Sequence, residues 1–132
     1  NFTVLENVVL GAEEGALLAP SLSKARKALN DLSREYELQI DTEAVIDEIG
    51  VGMQQRVEIL KALYRKAEIL ILDEPSAGLT ADELHQFGTF LNQQLGRKTA
   101  LVVVEHRLDF MAIVTDTVVE MKLNQGLQVR AD

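Results

Sequence analysis

Residues 69–80 read ILILDEPSAGLT, an unbroken apolar run that stops at two adjacent carboxylates, Asp73 and Glu74, before Pro75 and a small-residue turn. A short apolar run bounded by turn residues suits a strand buried on both faces, as in a parallel sheet covered by helices. Such sheets bind ligands at the carboxyl ends of their strands, which is where the two acids stand. Burying neighbouring carboxylates costs on the order of several kcal/mol unless a cation, a proton or hydrogen bonds compensate. The pair therefore asks for a partner, and Mg²⁺ fits. A hard cation takes oxygen ligands from one carboxylate and from phosphate, while the neighbouring carboxylate orients or deprotonates a water. An Asp ahead of a helix is also an ordinary N-cap or turn former, so the pair gains functional weight from its surroundings.

Those surroundings divide by pattern into a helical part, residues 1–67, and an alternating strand–helix part, residues 68–132. Phe2, Val4, Leu5, Val8 and Val9 recur at helical spacing, with Thr3 as a cap. A break from Gly11 to Pro20 precedes a second helix, opened by Ser21 or Ser23 and running to about Tyr36, with Leu22, Ala25, Leu29 and Leu32 on one face. Asp41 and Thr42 are expected to cap a short helix through Ile46. A turn around Gly50 and Gly52 leads into a helix over 53–66, whose inward stripe is Val57, Leu60, Leu63 and Tyr64. On that helix Arg56 is read as solvated or paired with a nearby acid. After the strand 69–73, a helix from Ala81 to Leu95 precedes TALVVVEH, residues 99–106, a second continuous apolar run. A β-α-β connection makes the two strands parallel and brings Asp73, Glu74, Glu105 and His106 to one edge. A helix over 108–114 and two short strands, 117–121 and 127–129, joined at Asn124-Gln125-Gly126, complete the chain.

Composition narrows the possibilities. With 132 residues the chain fits one domain. The chain opens on Asn1, and its first residues read as the inside of an ordered segment, so a fragment is expected. Acids outnumber bases 21 to 13, a net charge of -8, which argues against broad binding to nucleic acid or anionic lipid. Cysteine is absent, which excludes disulfides and thiolate metal sites. No stretch approaches the roughly 18 apolar residues of a membrane span, so any membrane role comes through a partner.

Three features now stand in order: the glycine turn into a helix at 49–56 (IGVGMQQR), the strand with its acids, and His106 after a second strand. Glycines ahead of a helix leave backbone N–H groups free to meet a phosphate at the positive end of the helix dipole. In this order the sequence resembles the ATP-binding subunits of ABC transporters, in the part downstream of their glutamine loop, over essentially the whole chain. DEIGVGMQQRVEILKALYRKAEILILDEPSAGLT carries the resemblance most strongly. NFTVLENVVLG is similar to the segment that opens the family's helical subdomain, and VVVEH to its switch-histidine strand. The resemblance implies a partial P-loop NTPase-like α/β fold, a helical subdomain followed by parallel strands with covering helices. It implies that Gly50, Val51, Gly52 and Met53 form a signature loop contacting the γ-phosphate of ATP held by a second ATPase domain. It further implies Asp73 as the Walker B aspartate for Mg²⁺, Glu74 as the glutamate polarising the attacking water, and His106 as a contact to γ-phosphate and water. Ser76, Ala77 and Gly78 fall in the D-loop, where two subunits signal to one another. Without those neighbours, His106 reads as a structural strand-end histidine; His85 matches no motif.

The sequence also departs from the family pattern. Gly50 stands where serine is usual, which removes a hydroxyl donor but leaves the backbone donors; Val51 and Met53 differ as well. VGMQQRVEIL with Thr80 is similar to the branch serving simple sugars and nucleosides, whereas VVVEHRLDF is nearer to importers of branched-chain amino acids or urea. No Gly-Lys dipeptide occurs, so the phosphate-binding loop G-x-x-x-x-G-K-[ST] is absent from this sequence. The expected function is thus part of an ATPase subunit that drives solute import with transmembrane permease subunits, peripheral at the cytoplasmic face of the plasma membrane. ATP and Mg²⁺ serve the intact protein, and this chain alone is expected to be inactive. The alternative is a non-catalytic interaction module that docks a membrane partner or self-associates through an exposed sheet edge. A chromosome-maintenance ATPase is disfavoured because no long heptad segment interrupts the chain.

Overall fold

The computed structural model describes residues 2–10, 19–122 and 126–131. Helix α1, Val4–Leu10, begins at a reciprocal cap: Glu6 N–H donates to Thr3 Oγ1 at 3.2 Å, and Thr3 N–H donates to Glu6 Oε2 at 2.8 Å. Its free first-turn donors are satisfied at a distance, Val4 N–H by the Ala44 carbonyl and Leu5 N–H by the Thr42 carbonyl, both at 2.9 Å. This corrects the helix expected through Ile46. With those carbonyls engaged by α1 and Thr3 bridged to Val45, residues 42–45 stay open, and a single 3-10 turn forms later, at Ile46–Glu48.

Helix α2, Ala19–Glu35, starts before the expected serines and takes Pro20 into its first turn, where a missing N–H breaks no intrahelical bond. The preceding part of the expected break, residues 11–18, lies outside the described residues, as do Asn124 and Gln125 of the last turn. Helix α3, Val51–Tyr64, starts two residues earlier than expected, with Gly50 at its N-cap. It buries Val57, Ile59, Leu60 and Leu63, while Tyr64 is half-buried. Both α2 and α3 end the same way. Leu38 N–H reaches Ser33 O at 2.9 Å and Ala67 N–H reaches Ala62 O at 3.0 Å, with Glu37 and Lys66 in the left-handed region between them. These are Schellman closures made without the usual glycine.

Strand β1, Ile69–Asp73, pairs in parallel with β2, Ala100–Val104, in register Ile69↔Ala100 through Asp73↔Val104. Helix α4, Ala81–Phe90, makes the crossover. It opens at a Thr80–Glu83 capping box and continues into a wider turn, Leu91–Leu95, closed by Gly96 N–H to Leu91 O at 2.7 Å. Helix α5, Leu108–Val114, and an antiparallel hairpin, β3 Thr117–Lys122 with β4 Gly126–Ala131, follow. One connected apolar cluster runs from Val4 and Leu29 through Leu60 to Phe90 and Phe110, crossing between the helical and α/β parts.

The parallel pair is covered on one face. Leu70 is buried, and Leu72, Leu101 and Val103 pack on the core. Ile69, Ile71, Val102 and Val104 are 64%, 71%, 49% and 49% exposed. The expectation of burial on both faces is therefore corrected: the apolar runs alternate between a core face and a face that no described element covers.

Candidate functional site

The carboxyl ends of β1 and β2 place the two halves of the site. Because the strands are parallel and in register, the residues after Asp73 and Val104 emerge side by side, and Glu74 N–H donates to Val104 O at 2.8 Å. At that point the chain turns sharply. Glu74 adopts φ 46, the left-handed region that an L-residue enters at a cost of roughly 1–3 kcal/mol, and Ala77 N–H closes the turn onto Glu74 O at 3.0 Å. The result lifts the Glu74 side chain out of the sheet, and His106 Nε2 lies 3.1 Å from Glu74 Oε1. Both side chains are solvent-accessible, so a reactant can reach the pair.

Glu105 lies between these turns, and no role was read for it from the sequence. Its Oε1 accepts from Ser76 N–H at 2.8 Å, and its Oε2 accepts from His106 N–H at 2.9 Å and Arg107 N–H at 3.2 Å. Partial burial pushes the Glu105 carboxyl up, but the hydrogen bonds from Ser76, His106 and Arg107 outweigh it and hold the group below the usual carboxylate range. The signal available in the sequence was its adjacency to His106 at the end of a strand.

A second group gathers at the start of α3. Gly50 O accepts from both Met53 and Gln54 N–H at 3.0 Å, and Gln54 Nε2 braces the approach by donating to Ile46 O and Ile49 O. No side chain caps this helix, which leaves its first backbone donors open to an anion. A Cβ built on Gly50 meets nothing within 4 Å, so the serine of the wider family pattern is sterically admissible. The 76–78 turn touches both groups. Ser76 is held by Glu105, Ala77 O accepts from Gln55 Nε2 at 3.5 Å, and Gly78, at φ 76, faces the Val51 side chain.

The structure thus joins Glu74 to His106, Val51 to Gly78, and Gln55, just beyond the loop, to Ala77. Asp73 ends β1 on the bare face of the sheet, opposite Val104. Its carboxylate is the donor chemistry Mg²⁺ requires, yet among the described residues no three His, Cys, Asp or Glu side chains are grouped to hold a metal. Oxygen ligands from a bound phosphate would have to complete the shell. Arg56 corrects its expectation. It is half-buried rather than fully solvated, and in place of an acid it donates from Nη1 to Leu38 O at 3.1 Å and lies 5.2 Å from the centre of the Phe90 ring. His85 is exposed at a separate cleft, which also includes Arg56 and Gln94.

The family model described as ABC transporter matches residues 1–77. A nucleoside import ATP-binding protein of Lactococcus lactis subsp. cremoris is 37% identical over 126 residues, covering 96% of this chain and 25% of that protein. A ribose import ATP-binding protein of Corynebacterium glutamicum is 39% identical over 119 residues, covering 88% of this chain and 22% of that protein. The chain spans about a quarter of the length of these curated relatives. Among solved structures, an ATP-binding cassette of an ABC transporter superposes with a TM-score of 0.70 at 23% identity, covering 89% of this chain and 50% of the other. A dimeric bacterial ABC transporter cassette does so at 0.63 and 24%, covering 89% and 51%. At these identities the superpositions establish the fold.

Proposed function

The chain belongs to the ABC transporter family, and from that premise we propose that it is part of an ATP-binding subunit whose intact form hydrolyses ATP to drive solute import. The Glu74–His106 contact carries this reading: two groups able to exchange and hold a proton meet at the end of a parallel strand pair, the strand end where open α/β sheets bind their ligands. In this reading Glu74 orients the attacking water and His106 steadies the water and the γ-phosphate. Asp73 would hold Mg²⁺, which when bound neutralises charge on the phosphate oxygens. The loop Gly50, Val51, Gly52 and Met53, whose first backbone donors are open, faces the phosphate of ATP carried by a second ATPase domain. Ser76, Ala77 and Gly78, which touch both groups, pass signals between the two domains.

Residues 1–67 form the helical subdomain and 68–132 the α/β part of this unit. It works with transmembrane permease subunits, peripheral at the cytoplasmic face of the plasma membrane. The cargo we propose is a nucleoside or a simple sugar, the class named for the relatives above. This chain alone carries no phosphate-binding lysine loop and is expected not to turn over ATP. In the intact ATPase, Glu74→Gln should retain ATP binding and lower turnover by on the order of a hundredfold or more. Unchanged turnover would remove Glu74 from the mechanism.

A second reading rests on the bare sheet face. Ile69, Ile71, Val102 and Val104 give this chain an apolar surface suited to self-association, with the strand edge beside it. Light scattering of the isolated chain at rising concentration should show growing mass, and a strictly monomeric chain would count against it.

A further inference from the structure

We propose that Glu105 is a positioning residue that clamps the 76–78 turn to the turn bearing His106, so that the two move as one body. The geometry has two arms on one carboxylate. Oε1 takes the Ser76 N–H at 2.8 Å, whereas Oε2 takes His106 N–H at 2.9 Å and Arg107 N–H at 3.2 Å. Ser76 is 2% exposed, so its N–H has little recourse to water if that arm is lost. Among the described residues the strand ladder ends at the Glu74 N–H bond to Val104 O, and beyond it the next bridge between the two turns is the exposed Glu74–His106 contact. An exposed side-chain contact of that kind contributes little rigidity on its own, while three charge-assisted bonds to backbone contribute more.

A carboxylate suits this task because its two oxygens both accept. An amide cannot replace it, having one accepting oxygen and a nitrogen that only donates, so glutamine at 105 can serve one turn but not both. The consequence for function rests on the reading of Glu74 and His106 above: a displacement of the 76–78 turn by a neighbouring domain would be carried through Glu105 to the backbone of His106. The clamp itself is testable on this chain without nucleotide, so failure of the test leaves the ATPase reading standing, and failure of that reading leaves the clamp standing.

Amide hydrogen exchange and backbone NMR shifts of the chain and of Glu105→Gln, with Glu58→Gln as a surface control, decide it. In the parent chain the Ser76, His106 and Arg107 amide shifts follow a single acid transition, the one followed by the Glu105 carboxyl carbon. In Glu105→Gln that transition vanishes, and amides on one of the two turns exchange at least tenfold faster while the other turn and the core amides of α3 keep their protection. A structural role alone would instead raise exchange across the whole fold, and that uniform rise overturns the proposal. So does a Ser76 amide blind to the Glu105 transition. If Glu105→Gln fails to fold, the parent titration by itself decides between the outcomes.

Discussion

Replacing Gly88 by alanine tests the packing that sets the histidine turn in place. Glycine in mid-helix ordinarily costs about 1 kcal/mol relative to alanine, so on propensity alone the substitution should stabilise α4. The structure reverses that sign. A Cβ at Gly88 would lie 2.9 Å from Ile113 Cγ2, 3.3 Å from Ile113 Cβ and 3.3 Å from Phe110 Cε2. Ile113 is β-branched within α5 and holds one strongly preferred rotamer, and Phe110 is fully buried against the Phe87 ring, so neither yields without moving α5. Overpacking of this kind costs roughly 1–3 kcal/mol, which leaves a net loss of about 1 kcal/mol after the propensity gain. Urea unfolding followed by circular dichroism should show a lower midpoint at unchanged slope, with Tm down by about 3–6 °C. In an Ile113→Ala background, where the closest contact is removed, Gly88→Ala should become neutral or stabilising. A raised midpoint for the single substitution would refute the close approach of α4 and α5. Because α5 begins two residues after His106, the His106 amide resonance should also shift in the single variant.

Three further outcomes follow from local geometry. Lys66→Gly should raise stability by about 1 kcal/mol in thermal unfolding, because Lys66 closes α3 at φ 61, where glycine has no Cβ penalty; a loss would mean that the side chain contributes more than the backbone strain costs. Thr80→Ala should cost about 1 kcal/mol by removing the hydroxyl that accepts from Glu83 N–H, while the backbone N–H of residue 80 keeps its bond to the Glu83 carboxylate, measured by the same unfolding curves. The Glu105 carboxyl is depressed in the folded chain by its three backbone donors. Its stabilisation is therefore complete above the unfolded carboxylate pKa and disappears as pH falls through the lower folded value. Stability of Glu105→Gln should fall less steeply than that of the parent on acidification, and identical acid limbs would contradict it.

The arrangement of strands and acids was legible because it depends on patterns that neighbouring residues state directly. ILILD and ALVVV gave two strands, the helix between them made the pairing parallel, and parallel pairing brought Glu74 to His106. The helix cap at Thr3 was read from side-chain chemistry at short range, whereas the capping box at Thr80 was not read. What eluded the sequence depends on distant partners. Residues 42–45 carry helix-compatible side chains, but their carbonyls are claimed by the first turn of α1. The cation of Arg56 finds a carbonyl and an aromatic face rather than an acid, a choice made by the fold of α3 against Leu38 and Phe90. Glu105 reads as a strand-end acid until the 76–78 turn is seen beside it. Which face of the sheet stands bare was illegible for a related reason: an apolar run reports that a residue can be buried, and says nothing of which neighbour does the burying.

The left-handed turn at Glu74 sets two kinds of selection against each other. Glycine or asparagine would occupy φ 46 with less strain, so a library of this segment screened for heat resistance alone is expected to enrich those residues at position 74. Every such winner would have discarded the carboxylate that faces His106. Robustness and chemistry therefore pull a single codon in opposite directions, and engineering of this segment for longevity would have to hold position 74 fixed and seek its gains elsewhere.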